Sequence, residues 1–178
     1  AGVIGWQQWG AWQERQMAAA AADYAAIVEA LDGADVEAAV NRLERLRDAH
    51  ASSPYAGLAT LAVAAAEFEA DRPAAAASNL GWITASQPRS PLAVVARLRQ
   101  AEALRAAGEE SAALSVLEPP PTGPLRARYL ELQGDIEAGL GNRDAAIEAY
   151  RQALAESASE RRSLVEIKLF DLGGAPAS

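Results

Sequence analysis

The chain has 178 residues, enough for one domain with its own core or for one short array of helical repeats. Its formal net charge of −8 and its lack of basic clusters argue against nucleic-acid binding, because neutralising phosphates requires Lys and Arg. The absence of cysteine excludes disulfides, thiolate zinc sites and thiol catalysis. Abundant alanine and scarce β-branched runs favour helix along nearly the whole chain.

The first predicted element is one long helix over residues 6–31, a stretch with no proline and a single glycine. Trp6, Trp9 and Trp12 lie on one ridge of it, after the apolar stub AGVIG and before a run of Gln, Glu and Arg. Tryptophan favours the boundary between hydrocarbon and water. The pattern therefore predicts that residues 1–16 are the end of a membrane-anchor helix with its juxtamembrane stretch. The alternative is that the indoles pack on the protein or in an oligomer contact.

An internal repeat follows. Sliding residues 129–154 back by 33 positions places Gly141 over Gly108 and Ala146 over Ala113. In a helical hairpin, such a glycine ends the first helix at positive φ, and a small residue at the crossing lets the second helix approach closely. Two weaker copies precede, and proline-containing segments separate the copies. The predicted hairpins cover residues 17–50, 57–90, 94–121 and 127–160, followed by a capping helix at 161–172 and a flexible tail at 173–178.

The last hairpin carries the pattern G-x(6)-G-x(4)-A-x(3)-Y-x(2)-A, formed by Gly134, Gly141, Ala146, Tyr150 and Ala153. This pattern resembles the tetratricopeptide repeat, although Leu130 and Glu137 stand where that family usually has tryptophan and tyrosine. The resemblance implies an all-α, right-handed solenoid of about four helical hairpins, with a long N-terminal helix and a C-terminal capping helix. A generic alanine-rich helical bundle is the alternative.

The sequence offers no convincing catalytic or metal-binding motif. The only histidine, His50, lies near a predicted helix end, where His⁺ is favoured by the helix dipole. Clustered acids such as Glu67 and Glu69 suit solvated faces better than acid–base chemistry. We therefore predict no enzymatic activity, no cofactor, no metal and no small-molecule substrate. A hydrolase would require two carboxylates that converge in a pocket with a raised pKa.

Resemblance to the tetratricopeptide family implies a binding groove lined by the first helix of each hairpin. The predicted groove residues are Leu58, Leu61, Phe68, Leu98, Glu102, Arg105, Arg128, Glu131 and Asp135. Glu131 and Asp135 would repel an acidic peptide terminus, so a carboxylate clamp is rejected. The groove instead suits apolar, sequence-tolerant protein segments. The alternative for Leu58, Leu61 and Phe68 is that the long first helix covers them as ordinary core.

The order of these features resembles the ancillary SecYEG translocon subunit (YfgM-like) family, matched by GVIGWQQWGAWQ (2–13), the repeats and LVEIKLFDL (164–172). The resemblance implies a periplasmic protein anchored to the bacterial inner membrane by a single N-terminal helix. It also implies association with the Sec translocon and a membrane-anchored peptidyl-prolyl isomerase, and binding of unfolded client chains as a holdase or scaffold. The alternative is an adaptor for envelope assembly or cell division that holds no clients.

Overall fold

The computed structural model describes the backbone of residues 2–157 and 159–174 and the side chains of residues 8–157 and 162–174. Over this part of the chain all regular structure is helical, which confirms the predicted fold class. The helices are α1 (Gly2–Asp32), α2 (Val36–His50), α3 (Pro54–Glu69), α4 (Pro73–Ser86), α5 (Leu92–Ala106), α6 (Glu110–Leu117), α7 (Arg126–Gly139), α8 (Arg143–Glu156) and α9 (Ser159–Asp171).

The helices pack in sequential pairs within two compact units. The N-terminal unit comprises residues 1–96 and the C-terminal unit residues 97–178, so α5 contributes to both. In the N-terminal unit α1 pairs with α2 and α3 with α4, and α3 also packs against both helices of the first pair. In the C-terminal unit α7 pairs with α8, which in turn carries α9. The predicted single helix over residues 6–31 is confirmed as part of α1.

Four hairpin turns share one backbone geometry, which is the structural form of the sequence repeat. Each first helix ends at a residue with positive φ, and the next N–H donates to the carbonyl five residues back, as in a Schellman turn. The positive-φ residues are Ala34, Asp71, Gly108 and Gly141, with φ of 57°, 58°, 78° and 79°. The closing donors Asp35, Arg72, Glu109 and Asn142 lie 2.8–2.9 Å from their acceptors. Glycine therefore fills this position in only two of the four turns.

The core of the N-terminal unit is built from small and aliphatic residues of its first three helices. Ile27, Leu43 and Val63 are fully buried at its centre. Trp82 of α4 packs against the same cluster. Among the described side chains of α1, the first buried one is Ala20, so residues 8–19 extend beyond the core. The unit is therefore a packed set of helices with one unpacked helical end.

The core of the C-terminal unit depends on a close helix crossing. A Cβ atom built at Gly134 of α7 would lie 2.5 Å from Cε1 of Tyr150 on α8. Only glycine lets the tyrosine ring lie directly on the α7 backbone. Val165 and Leu169 of α9 join the same cluster and are fully buried. Helix α9 thus covers α8, as expected of a capping helix.

Candidate binding surface

The N-terminal unit presents part of the predicted groove as an exposed apolar face on α3. Leu58 is 39% exposed and Phe68 is 45% exposed, whereas Leu61 is half-buried. Helix α1 packs against α3 but leaves Leu58 and Phe68 in solvent, so these two residues are not ordinary core. We call Leu58, Leu61 and Phe68 the α3 face. Its apolar side chains could hold an apolar segment of another protein.

A buried polar network fixes the helix that carries this face. The Arg47 guanidinium donates to Thr60 Oγ1 on α3 at 3.0 Å and to Asn79 Oδ1 on α4 at 2.8 Å, and it stacks 4.5 Å from the Trp82 ring centroid. Asn79 also donates to the buried Glu67 carboxylate at 2.6 Å. Burial lowers the pKa of Arg47 to about 10, against the opposing pull of nearby carboxylates. The network holds α2, α3 and α4 in a fixed relation.

The C-terminal unit places its predicted groove residues differently. Leu98 is only 8% exposed, so it lies in the core and not on an open groove surface. The other five residues are charged, and the structure brings them together: Glu102, Arg105, Arg128, Glu131 and Asp135. Arg128 bridges Glu102 at 3.0 Å and Glu131 at 2.9 Å, and Arg105 lies 3.8 Å from Asp135. These five residues form one cluster of paired charges in the C-terminal unit.

The chain's single lysine, Lys168 on α9, completes this cluster and was missed by the sequence analysis. Its Nζ donates to Glu131 Oε1 at 2.8 Å and to Asp135 Oδ1 at 2.7 Å. The Tyr150 hydroxyl donates to the same Asp135 oxygen at 2.8 Å. The available signal was the one cation within LVEIKLF, a stretch whose other residues apart from Glu166 are apolar, but its partners lie more than 30 residues earlier.

The electrostatics of the cluster do not suit acid–base catalysis. Burial raises the pKa of Glu131, but hydrogen bonds and attraction from Lys168 and Arg128 outweigh burial and bring that pKa below its ordinary value. Burial and the bond to Asp135 raise the pKa of the Tyr150 phenol. A carboxylate-pair hydrolase requires a raised carboxyl pKa, and Glu131 shows the opposite shift. Within the described residues, no group of three or more His, Asp or Glu side chains is placed to hold a metal ion.

The tryptophan ridge lies on the unpacked end of α1. Trp9 and Trp12 are both more than half exposed, and the Trp6 side chain lies outside the described residues. Trp12 borders an open cleft that α1 forms with the end of α2, where Asp48 and His50 also line the wall. Among the described helices, none combines the length and the apolar character needed to cross a bilayer. The exposed indoles could contact a lipid headgroup region or another protein.

Comparisons with known proteins agree with this architecture. A tetratricopeptide repeat-like domain family matches residues 1–174. The chain is 31% identical over 156 residues to the ancillary SecYEG translocon subunit of Neisseria gonorrhoeae, covering 86% of this chain and 75% of that protein. It is 27% identical over 171 residues to the ancillary SecYEG translocon subunit of Haemophilus influenzae, covering 96% of this chain and 83% of that protein.

Proposed function

Since the chain belongs to the ancillary SecYEG translocon subunit family of tetratricopeptide repeat proteins, we propose that it associates with the Sec translocon and binds protein chains there without chemically altering them. The observation that carries this proposal is the match to relatives of that name over 86% and 96% of the chain. The proposed location is the periplasmic face of the bacterial inner membrane. The proposed partners are the translocon, a membrane-anchored peptidyl-prolyl isomerase and unfolded client chains.

The unpacked end of α1 supports a membrane tether. Residues 8–19 precede the first buried side chain, which at 1.5 Å per residue gives roughly 18 Å of helix outside the core. Trp9 and Trp12 are exposed on this part, and indole rings are favoured at the lipid headgroup level. We propose that a single N-terminal helix, of which residues 1–16 are the end, anchors the protein. The repeat domain would then stand close to the membrane surface.

The α3 face supports a role in binding client chains. Leu58 and Phe68 offer apolar contact without a specific polar pattern, which suits segments of many sequences. Client chains leaving a translocon are unfolded and expose such segments. The charged cluster of the C-terminal unit is internally paired, so it is poorly suited to gripping a charged peptide end. We therefore place client binding on the α3 face, in a holdase or scaffold role.

Location is tested with the full-length protein in bacteria whose outer membrane has been opened. Protease added outside should degrade the repeat domain while the inner membrane is intact. The protein should stay in the membrane fraction after a high-salt wash. A repeat domain that is protected until the inner membrane is broken, or a protein released by salt, would refute the proposed tethering.

Partner binding is tested by purifying the full-length protein from detergent-solubilised membranes and probing for the translocon. Wild-type protein should retain it, and failure to do so refutes the proposed function. The double variant Leu58→Ser with Phe68→Ser should keep the translocon but lose suppression of aggregation of a chemically unfolded client. Leu140→Ser is the matched control, since Leu140 is exposed outside the α3 face. If wild-type protein binds the translocon but protects no client, the adaptor role replaces the holdase role.

A further inference from the structure

Helix α9 has two opposite apolar faces, and only one of them is covered within the described part of the chain. Val165 and Leu169 are buried against α8. Leu164, Ile167 and Phe170 are 51%, 59% and 78% exposed. These three residues are spaced by three, so they form one continuous ridge on the helix surface, which we call the α9 ridge. A helix that is apolar on opposite faces normally has neighbours on both.

The α9 ridge stands on a firmly held helix. Lys168 ties the middle of α9 to Glu131 and Asp135 of α7. The Arg143 side chain of α8 donates to the Leu172 carbonyl at 2.7 Å and so fixes the end of α9. The ridge is therefore a preorganised surface, for which little conformational freedom is lost when a partner binds.

Helix α9 also ends in the same way as the four first helices of the repeats. Gly173 has φ of 67°, and the Gly174 N–H donates to the Leu169 carbonyl five residues back at 2.9 Å. Counting back from this turn puts Ile167 six residues and Phe170 three residues before the positive-φ glycine. Asp135 holds the equivalent place six residues before Gly141. Ile167 and Phe170 thus occupy positions that correspond to the predicted groove residues of the earlier hairpins.

We propose that the α9 ridge is a docking site for a basic amphipathic helix of another protein. Asp171 follows Ile167 by four residues and so borders the ridge, and no ion-pair partner is found for it among the described residues. On the other border, Glu166 is paired with Arg162 at 3.0 Å. An approaching helix therefore meets one unpaired carboxylate beside an apolar strip, on a chain of net charge −8. Leucine-like side chains along one stripe with flanking Lys or Arg fit this surface.

A second copy of this chain fits the ridge less well. The three exposed side chains offer roughly 350 Å² per chain, so a symmetric pair would bury roughly 700 Å², below the usual size of a stable interface. An antiparallel two-fold pairing centred on Ile167 would also place Asp171 opposite Ser163 of the other copy, so the Asp171 carboxylate would gain no cation. A basic partner helix supplies that cation. The same small area makes the expected contact weak and reversible, as suits partners held near one membrane.

The probe is a fluorescein-labelled synthetic amphipathic peptide with leucine on one face and lysine on both flanks. Its counterpart has glutamate in place of lysine. Fluorescence anisotropy with the whole chain should give a Kd of roughly 10–100 µM for the lysine peptide, the range of weak complexes. The double variant Ile167→Ser with Phe170→Ser should weaken binding by at least about tenfold, and Asp171→Lys should abolish the preference for lysine over glutamate.

A matched control separates this site from other exposed apolar side chains. Leu140→Ser removes an exposed leucine outside both the ridge and the α3 face, so this variant should bind the lysine peptide as wild type does. Circular dichroism should show native helicity for the ridge variant, because its two side chains are largely in solvent. Equal binding by wild type and the ridge variant overturns the proposal. So does sedimentation showing a dimer that the ridge variant abolishes, or binding of the ridge to lipid vesicles without the peptide.

Discussion

Replacing Gly134 with alanine tests the crossing of α7 and α8 directly. The new Cβ atom would lie 2.5 Å from Cε1 and 2.6 Å from Cδ1 of Tyr150, about 1 Å closer than carbon atoms pack. The tyrosine ring cannot easily move away, because it is buried and its hydroxyl is bonded to Asp135. Overpacking typically costs about 1–3 kcal/mol, and the close contact with a held ring puts this change at the upper end, whereas the helix propensity of alanine returns about 1 kcal/mol. The expected net loss is about 2 kcal/mol.

The assay is urea and thermal unfolding followed by circular dichroism, with hydrogen exchange of α7 and α8 amides to locate the effect. A loss of about 2 kcal/mol corresponds to a Tm lower by about 4–8 °C for a chain of this length. Gly139→Ala is the matched control on the same helix, because its Cβ would meet nothing within 4 Å. That variant should be as stable as wild type or slightly more stable.

A second change should rescue the first. In the preceding hairpin, Ala101 and Leu117 occupy the positions equivalent to Gly134 and Tyr150, so both combinations of residues occur within this chain. The double variant Gly134→Ala with Tyr150→Leu should therefore be at least about 1 kcal/mol more stable than the sum of its single changes predicts. If Gly134→Ala matches Gly139→Ala in stability, or if the double variant shows no coupling, the close crossing is not what the glycine serves.

Changes at Ala34, Lys168 and Arg47 test other parts of the fold, with Ala22→Gly and Glu131→Gln as companion variants. Ala34→Gly should stabilise the chain by about 0.5–1 kcal/mol in urea unfolding, because Ala34 has φ of 57°, whereas Ala22→Gly on exposed α1 should cost about 1 kcal/mol. Lys168→Met should cost about 1–2 kcal/mol at neutral pH. The folded pKa of Glu131 is lowered, so the ionised carboxylate stabilises the fold above its ordinary pKa near 4.5, and this stabilisation is lost as the pH falls below that value. Glu131→Gln should therefore make the free energy of unfolding less dependent on pH in the acid range. Arg47→Lys should cost about 1–2 kcal/mol by thermal unfolding, since a lysine cannot make the same paired bonds; unchanged stability would contradict the network.

Local sequence was sufficient for the helical architecture and its turns. Each hairpin turn depends on local contacts, because it is closed by a hydrogen bond that spans five residues. The recurring spacing of Gly108 and Gly141 was therefore enough to predict the turns at these two positions. The repeat pattern gave a small residue at 134 and a large residue at 150, but only the structure shows that the Tyr150 ring lies against Gly134. The first turn shows the limit of this reasoning. Ala34 adopts positive φ although Gly33 is adjacent. The residue with positive φ is the one directly before the closing donor, and in this turn the closing donor is Asp35.

Tertiary packing decided which side chains are available. The pattern that assigned both Leu98 and Phe68 to the groove could not show that Leu98 is buried while Phe68 is exposed. The same holds for α9, where the apolar pattern could not show that Val165 and Leu169 are buried while Ile167 and Phe170 are exposed. Burial and ion pairing depend on neighbours contributed by other helices, and Lys168 reaches Glu131 across 37 residues of sequence. The sequence by itself determined the repeating helical hairpins, because those rest on local contacts, whereas only the tertiary structure determined which faces remain open to a partner.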